Sequence, residues 1–136
     1  MDMVQSYKEL TVWQRSKQLA VSIYELTEKF PREEVYGIIS QMRRCAISIP
    51  SNIAEGRVRG TRKDFLSFLR IAYGSGAELE TQEEISKEIF KTRKIDFATA
   101  DSLLLETMKM LNAMIRKMNP NTSQANEARE ANKLIS

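Results

Sequence analysis

Apolar side chains recur every three or four residues along most of this sequence, and that period limits the folds the chain can adopt. It matches one face of an α-helix rather than the alternation of a β-strand. Four such segments occur, and proline, glycine and asparagine–proline stops end the first, second and fourth of them. Five glycines and three prolines are also few for a turn-rich β protein. The pattern therefore predicts an all-α protein with four helices.

Capping and stop residues predict where these helices begin and end. At the first start, Thr11 and Gln14 match a capping box, in which the two side chains satisfy otherwise unpaired amides. Glu33 and Asp96 suit helix N-termini by their charge or capping ability. The predicted helices run from Thr11 to Pro31, from near Glu33 to Gly56 or Gly60, from Thr61 to about Phe90, and from near Asp96 to Asn119.

The length of 136 residues predicts one domain. Amphipathic helices joined by short loops favour an antiparallel up-and-down four-helix bundle, which we place at residues 1–119. Residues 120–136 are polar until their last few positions and are predicted to be a frayed tail or a loosely attached helix.

Positive charge is concentrated in one part of the chain. Residues 41–72 carry seven basic side chains against two acidic ones. Such a concentration indicates an anionic partner, and arginine and lysine beside the start of a helix suit phosphate. The alternative is a basic turn that pairs with acidic residues of a neighbouring subunit. The candidate phosphate contacts are Arg57, Arg59, Arg62 and Lys63, with Arg43, Arg44 and Arg70 as lesser candidates.

The residue inventory argues against catalysis. Histidine is absent, which removes the commonest general base and metal ligand. The glutamates of the third helix, Glu83 among them, are expected to form a solvated acidic face. Cys45 is expected to be a buried structural thiol, and a single cysteine fits a reducing compartment. We therefore expect a non-enzymatic cytoplasmic protein without cofactor or metal. We also expect no membrane span, because no apolar run is long enough.

Two surfaces suggest that the bundle associates with other chains. The outer face of the second helix carries short polar side chains where lysine and glutamate are usual. The fourth helix has a second apolar row of methionines, wider than one core stripe requires. Alternatively, the serines accommodate the proline in the second helix, and the methionines thicken the core. The candidate oligomer-interface residues are Ser48, Pro50, Ser51, Asn52, Glu55, Met110, Met114 and Met118.

The segment from Arg43 to Gly56, RRCAISIPSNIAEG, resembles the signature of the four-helix-bundle proteins encoded in bacterial 23S rRNA intervening sequences. Trp13, the Phe65–Leu69 segment and the later Gly-Ser and Glu-Leu-Glu motifs are also similar to that family. The resemblance covers roughly residues 7–118. Cys45, where alanine is common, and Gly76, where a larger apolar residue often follows the serine, depart from the pattern. Gly76 is expected to loosen the third helix locally.

The resemblance implies a bundle that assembles as a ring-shaped homopentamer and is not an enzyme. It also implies relatedness to the accessory variability proteins of diversity-generating retroelements, which bind nucleic acid and a reverse transcriptase. The leading hypothesis is therefore a homo-oligomer that binds RNA or another nucleic acid through its basic residues. The alternative is a protein-interaction scaffold, for example a reverse-transcriptase accessory subunit, without nucleic-acid contact.

Overall fold

The computed structural model describes residues 6–119, and within this range all regular structure is helical. The predicted tail, residues 120–136, lies outside the described residues. Two short 3-10 helices, Tyr7–Glu9 and Arg32–Glu34, precede the first and second α-helices. The four α-helices are α1 (Thr11–Thr27), α2 (Ile38–Val58), α3 (Arg62–Ile89) and α4 (Ala98–Met118). The prediction of an all-α protein with four helices is confirmed.

Each helix packs against two others, so the four enclose one core. α2 contacts α1 and α3, and α4 contacts the same two helices from the other side, with the α2–α3 contact the most extensive. Each helix buries one apolar stripe, and burial of one large aliphatic side chain contributes roughly 1.5–3 kcal/mol. The fully buried aliphatic side chains are Leu19, Ile23, Met42, Ile49, Ile53, Leu69, Leu79 and Leu111.

The predicted capping box at the start of α1 is wrong. Leu10 is the N-cap residue, and no side chain caps the helix there. Gln14 instead donates from Nε2 to the carbonyl of Lys8 at 2.9 Å. The physical reason is the preceding 3-10 helix, which brings that carbonyl within reach of Gln14 and leaves Thr11 as the first helical residue.

The predicted start of α2 near Glu33 is also wrong. Residues Arg32–Glu34 form a 3-10 helix, closed by the Glu34 amide donating to the Pro31 carbonyl at 3.0 Å. Gly37 then leaves helical geometry, with φ of −108° and ψ of −115°. The first α-helical residue is therefore Ile38.

Close packing between α2 and α3 accounts for one of the two glycines predicted to end α2. A Cβ at Gly56 would lie 2.6 Å from Phe68 Cβ. Gly56 lies inside α2 and therefore allows α3 to pack closely against it. The stop is made by Gly60, whose φ of +86° other residues rarely adopt. Thr61 follows as the N-cap of α3, in agreement with the predicted start of this helix, and accepts the Asp64 amide at 3.1 Å.

Gly76 does not leave the space beside α3 empty. A Cβ there would overlap the sulfur of Met108, so the α4 side chain occupies the volume that a larger residue would fill. The flexible methionine is suited to such irregular gaps. The expected local loosening of α3 is therefore offset by packing from α4.

Candidate nucleic-acid interface

The four leading basic residues lie around the junction of α2 and α3, and two of them stack on aromatic rings. The Arg57 guanidinium lies 5.9 Å from the Phe65 ring centre, and that of Arg59 lies 5.1 Å from the Phe68 ring centre. Arg59 also pairs with Glu55 at 2.9 Å. Both ring contacts hold the arginines at the end of the bundle, while the ion pair partly neutralises Arg59.

Arg62 connects this junction to the end of α4. Its guanidinium donates to the carbonyl of Met118 at 3.4 Å. Arg116 and Lys117 lie in the last turn of α4, and both are exposed. These two residues could not be assigned to the junction from the sequence, because more than fifty positions separate them from Arg62. The sequence shows that the end of the fourth segment is basic. Only the packing of α4 on α3 shows that these basic side chains lie at the junction of α2 and α3.

We call this group of residues the basic end. It consists of Arg57, Arg59, Arg62, Lys63, Arg116 and Lys117. Only Glu55 and Asp64 among the residues named at this junction oppose these six basic side chains. The excess of positive charge is therefore larger than the α2–α3 turn alone provides, and it attracts anions.

The N-terminus of α3 is only partly available to a phosphate. The Asp64 amide is already bound by the Thr61 hydroxyl, and the Phe65 amide by the Thr61 carbonyl at 3.0 Å. Asp64 also places a carboxylate in the first turn, where it competes with an anion. Phosphate contact at this end would thus depend on side chains rather than on the helix terminus.

The lesser candidates do not join the basic end. Arg43 lies about 21 Å along α2 from Arg57. It donates from Nε to the Thr27 hydroxyl at 2.9 Å and stacks on Tyr24 with 4.4 Å between the guanidinium and the ring centre. Arg43 therefore links α1 to α2. Arg44 is exposed and donates to Gln41.

Arg70 lies about 12 Å beyond Arg62 on α3 and is exposed. Its side chain is thus nearer the basic end than those of the two α2 arginines, although it lies outside the junction itself.

Two of the predicted oligomer-interface residues are engaged within the chain. The Ser48 and Ser75 hydroxyls lie 2.9 Å apart across the α2–α3 contact. Asn52 donates to the carbonyl and the hydroxyl of Ser48 at 2.8 and 2.9 Å. Short polar side chains on α2 thus serve packing against its own neighbour α3.

The other interface candidates retain some exposure. Ser51 and Glu55 are exposed, and Pro50 is half-buried inside α2. The three methionines of the predicted second row on α4 are half-buried and pack against the core. Their assignment to an interface between subunits stays a prediction. These methionines are Met110, Met114 and Met118.

The expected solvated acidic face of α3 needs a correction at Glu83. This side chain is 1% exposed and faces the core, because it continues the buried stripe between Leu79 and Ser86. Burial, together with the Asp101 carboxyl of α4, raises the pKa of Glu83 to about 8. Lys87 lies beside the pair and binds Asp101 at 2.9 Å.

Cys45 is buried, as predicted. Burial raises the pKa of its thiol, an effect that a hydrogen bond from Gln82 opposes and the nearby Glu78 carboxylate reinforces. A thiol with a raised pKa is a poor nucleophile at neutral pH. Across residues 6–119, no group of three or more potential ligands is arranged to hold a metal ion.

The four helices of the described chain also lack any stretch that combines the length and apolar character of a membrane span.

Comparison with known proteins gives a match over most of the chain. The model of the 23S rRNA-intervening sequence protein family matches residues 8–113, a span that contains α1, α2, α3 and most of α4. None of the curated proteins compared with the chain matches it.

Proposed function

The chain belongs to the 23S rRNA-intervening sequence protein family, and on this premise we propose that it is a non-enzymatic protein that binds nucleic acid, RNA above all, through the basic end. The observation that carries the proposal is the convergence of three helix termini that contribute six basic side chains. Phosphate neutralisation by lysine and arginine releases counterions, so affinity grows with each contact.

We further propose that the bundle is antiparallel and assembles as a homo-oligomer, a ring-shaped pentamer by the family resemblance. Short loops support the up-and-down arrangement. The hydrogen bond from Arg43, near the start of α2, to Thr27, at the end of α1, also supports it. A ring would repeat the basic end once per subunit on the same rim. Several weak phosphate contacts would then act on one RNA with high effective concentration.

The test is RNA binding by fluorescence anisotropy as salt concentration rises. The informative variant is Arg62→Glu with Lys63→Glu, because both positions are exposed and glutamate in the first turn of α3 suits the helix dipole. Affinity for a labelled single-stranded RNA should fall at least tenfold, and the slope of log affinity against log salt should drop by about 1.4.

The matched control reverses two lysines at the other end of α3. Lys91→Glu with Lys94→Glu changes the net charge equally at exposed positions beyond Ile89. This variant should keep most of the affinity. Binding that is insensitive to salt, or lost equally in both variants, would contradict the assignment of the basic end.

One observation favours the scaffold alternative. Arg57, Arg59 and Arg62 each have contacts within the chain, to Phe65, Glu55 and the Met118 carbonyl. Such engaged arginines also suit a protein surface, for example the reverse transcriptase suggested by relatedness to the retroelement accessory proteins. A protein partner that remains bound in a pull-down after nuclease treatment would support the scaffold. A cytoplasmic bacterial location without cofactor belongs to both readings.

A further inference from the structure

The side chain of Glu83 is a buried carboxyl group that receives no hydrogen bond from residues 6–119. Its side chain is 1% exposed, and neither carboxyl oxygen accepts a hydrogen bond from a donor of the described chain. An ionised carboxylate in that position would lose its hydration without compensation, which is costly. The neutral acid carries a much smaller cost and gains one hydrogen-bond donor.

The nearest cation is already taken by other carboxylates. Lys87 Nζ lies 2.9 Å from Asp101 Oδ2 on α4 and 2.9 Å from Glu84 Oε2 on α3. The Phe97 ring covers the same ammonium at 5.7 Å. Because one ammonium balances two carboxylates here, Glu83 has no counterion of its own.

We propose that Glu83 retains its proton in the folded protein at neutral pH and donates it to Asp101, so that one proton joins α3 to the N-terminal part of α4. The carboxyl of Asp101 then accepts from two donors, the Glu83 acid and the Lys87 ammonium. The cluster as a whole is a proton-dependent latch between the two helices.

Neighbouring elements bring few other charges to this level. From α2, Met42 contacts Ser86, and Cys45 contacts Gln82. From α1, Glu25 and Lys29 line a cleft with α4 residues next to Asp101. Those two side chains are exposed, of opposite sign, and bordered by solvent. The charges that act on Glu83 itself are those of Asp101, Lys87 and Glu84.

The sign of the pH effect follows from the raised pKa. Glu83 titrates near 8 in the folded chain and ordinarily at 4.5, chiefly because burial disfavours the charged form. Between these values the folded state binds one more proton than the unfolded state, so stability falls as pH rises. Below about pH 4.5 Glu83 is protonated in both the folded and the unfolded state. Above about pH 8 the folded state also loses the proton, and the dependence levels off.

The experiment compares urea unfolding of the full chain and of Glu83→Gln from pH 5 to 9, at one protein concentration. Glutamine keeps the shape and can donate to Asp101 but cannot ionise. The unfolding equilibrium constant of the parent, divided by that of the variant, should rise up to tenfold per pH unit and level off above pH 8.

A second measurement follows the protonation of Glu83 directly. The side-chain carboxyl carbon of Glu83, followed by ¹³C NMR in the intact protein, should titrate near pH 8, well above the ordinary glutamate value of 4.5. Asp101→Asn should move that titration to lower pH, because the like charge and the acceptor are removed. A parallel pH dependence of parent and Glu83→Gln, or a Glu83 carboxylate already ionised at pH 6, would overturn the proposal.

Discussion

Gly56 and Gly74 both lie inside long helices, but their surroundings differ. The Cβ of an alanine at Gly56 would press against Phe68 and Phe65 at 2.6 and 3.2 Å. A Cβ at Gly74 would meet no described residue within 4 Å, apart from its chain neighbours and the backbone of its own helix. Gly56→Ala should therefore lower the free energy of unfolding by about 1–3 kcal/mol through overpacking. Urea unfolding monitored by circular dichroism measures the change.

Gly74→Ala is the matched control for this substitution. It removes the conformational entropy of a helical glycine without a clash, so stability should increase by about 0.5–1 kcal/mol. A loss of stability at Gly74 would contradict the open surroundings and indicate that another chain needs the space beside α3.

Individual residues show where sequence reasoning succeeds and where it stops. The core residues on the helical period, such as Leu19 and Ile53, could be predicted because periodicity and hydrophobicity agree. At Glu83 these two signals disagree. Its position on the helical period places it among the buried residues of α3, whereas its charge suggests exposure to solvent. Only the packing of α4, which supplies Asp101, shows how the carboxyl is accommodated.

Two threonines at helix starts differ in whether their side chains cap the helix. Thr61 accepts the Asp64 amide and caps α3, whereas Thr11 is exposed and has no capping hydrogen bond. Thr61→Ala should cost about 1 kcal/mol of the free energy of unfolding. Thr11→Ala should change it by no more than a few tenths. Equal effects in thermal or urea unfolding would show that the α3 cap contributes nothing specific.

The helices themselves were predictable, but some of their ends were not. The start of α3 and the end of α4 agree with the predicted positions, because Thr61 caps α3 locally and α4 ends at Met118, next to Asn119. The starts of α1 and α2 depend on the 3-10 helices that precede them. Those helices arise from backbone contacts such as that of Glu34 with Pro31, which periodicity does not encode.

At the scale of the whole molecule, assembly is the property to test. If α2 presents an intermolecular face, the exposed residue Ser51 is its most direct probe. Ser51→Arg should lower the mass measured by sedimentation to that of a smaller species, because a long charged side chain prevents close approach. Helical content should stay unchanged.

Thr92→Arg is the control, since Thr92 is exposed in the turn after α3 and its substitution adds the same charge with a similar increase in volume. This variant should keep the parent's mass. A parent chain that sediments as a monomer at micromolar concentration would contradict homo-oligomerisation altogether.

The basic end could be predicted only in part, because its residues come from two distant parts of the sequence. The sequence places Arg57, Arg59, Arg62 and Lys63 within seven positions, so their proximity follows from the chain itself. Arg116 and Lys117 join them through the contact of Arg62 with the Met118 carbonyl. A partner surface estimated from sequence alone would therefore be too small.

The fit of Met108 against Gly76 has a consequence for chimaeric proteins. Volume missing from one helix is supplied by another, so neither position can be exchanged alone without a gap or a collision. Anyone who grafts the fourth helix of a related bundle onto this chain would have to transplant both positions together. Each helix is a separate segment of the sequence, but packed positions on two helices can be exchanged only together.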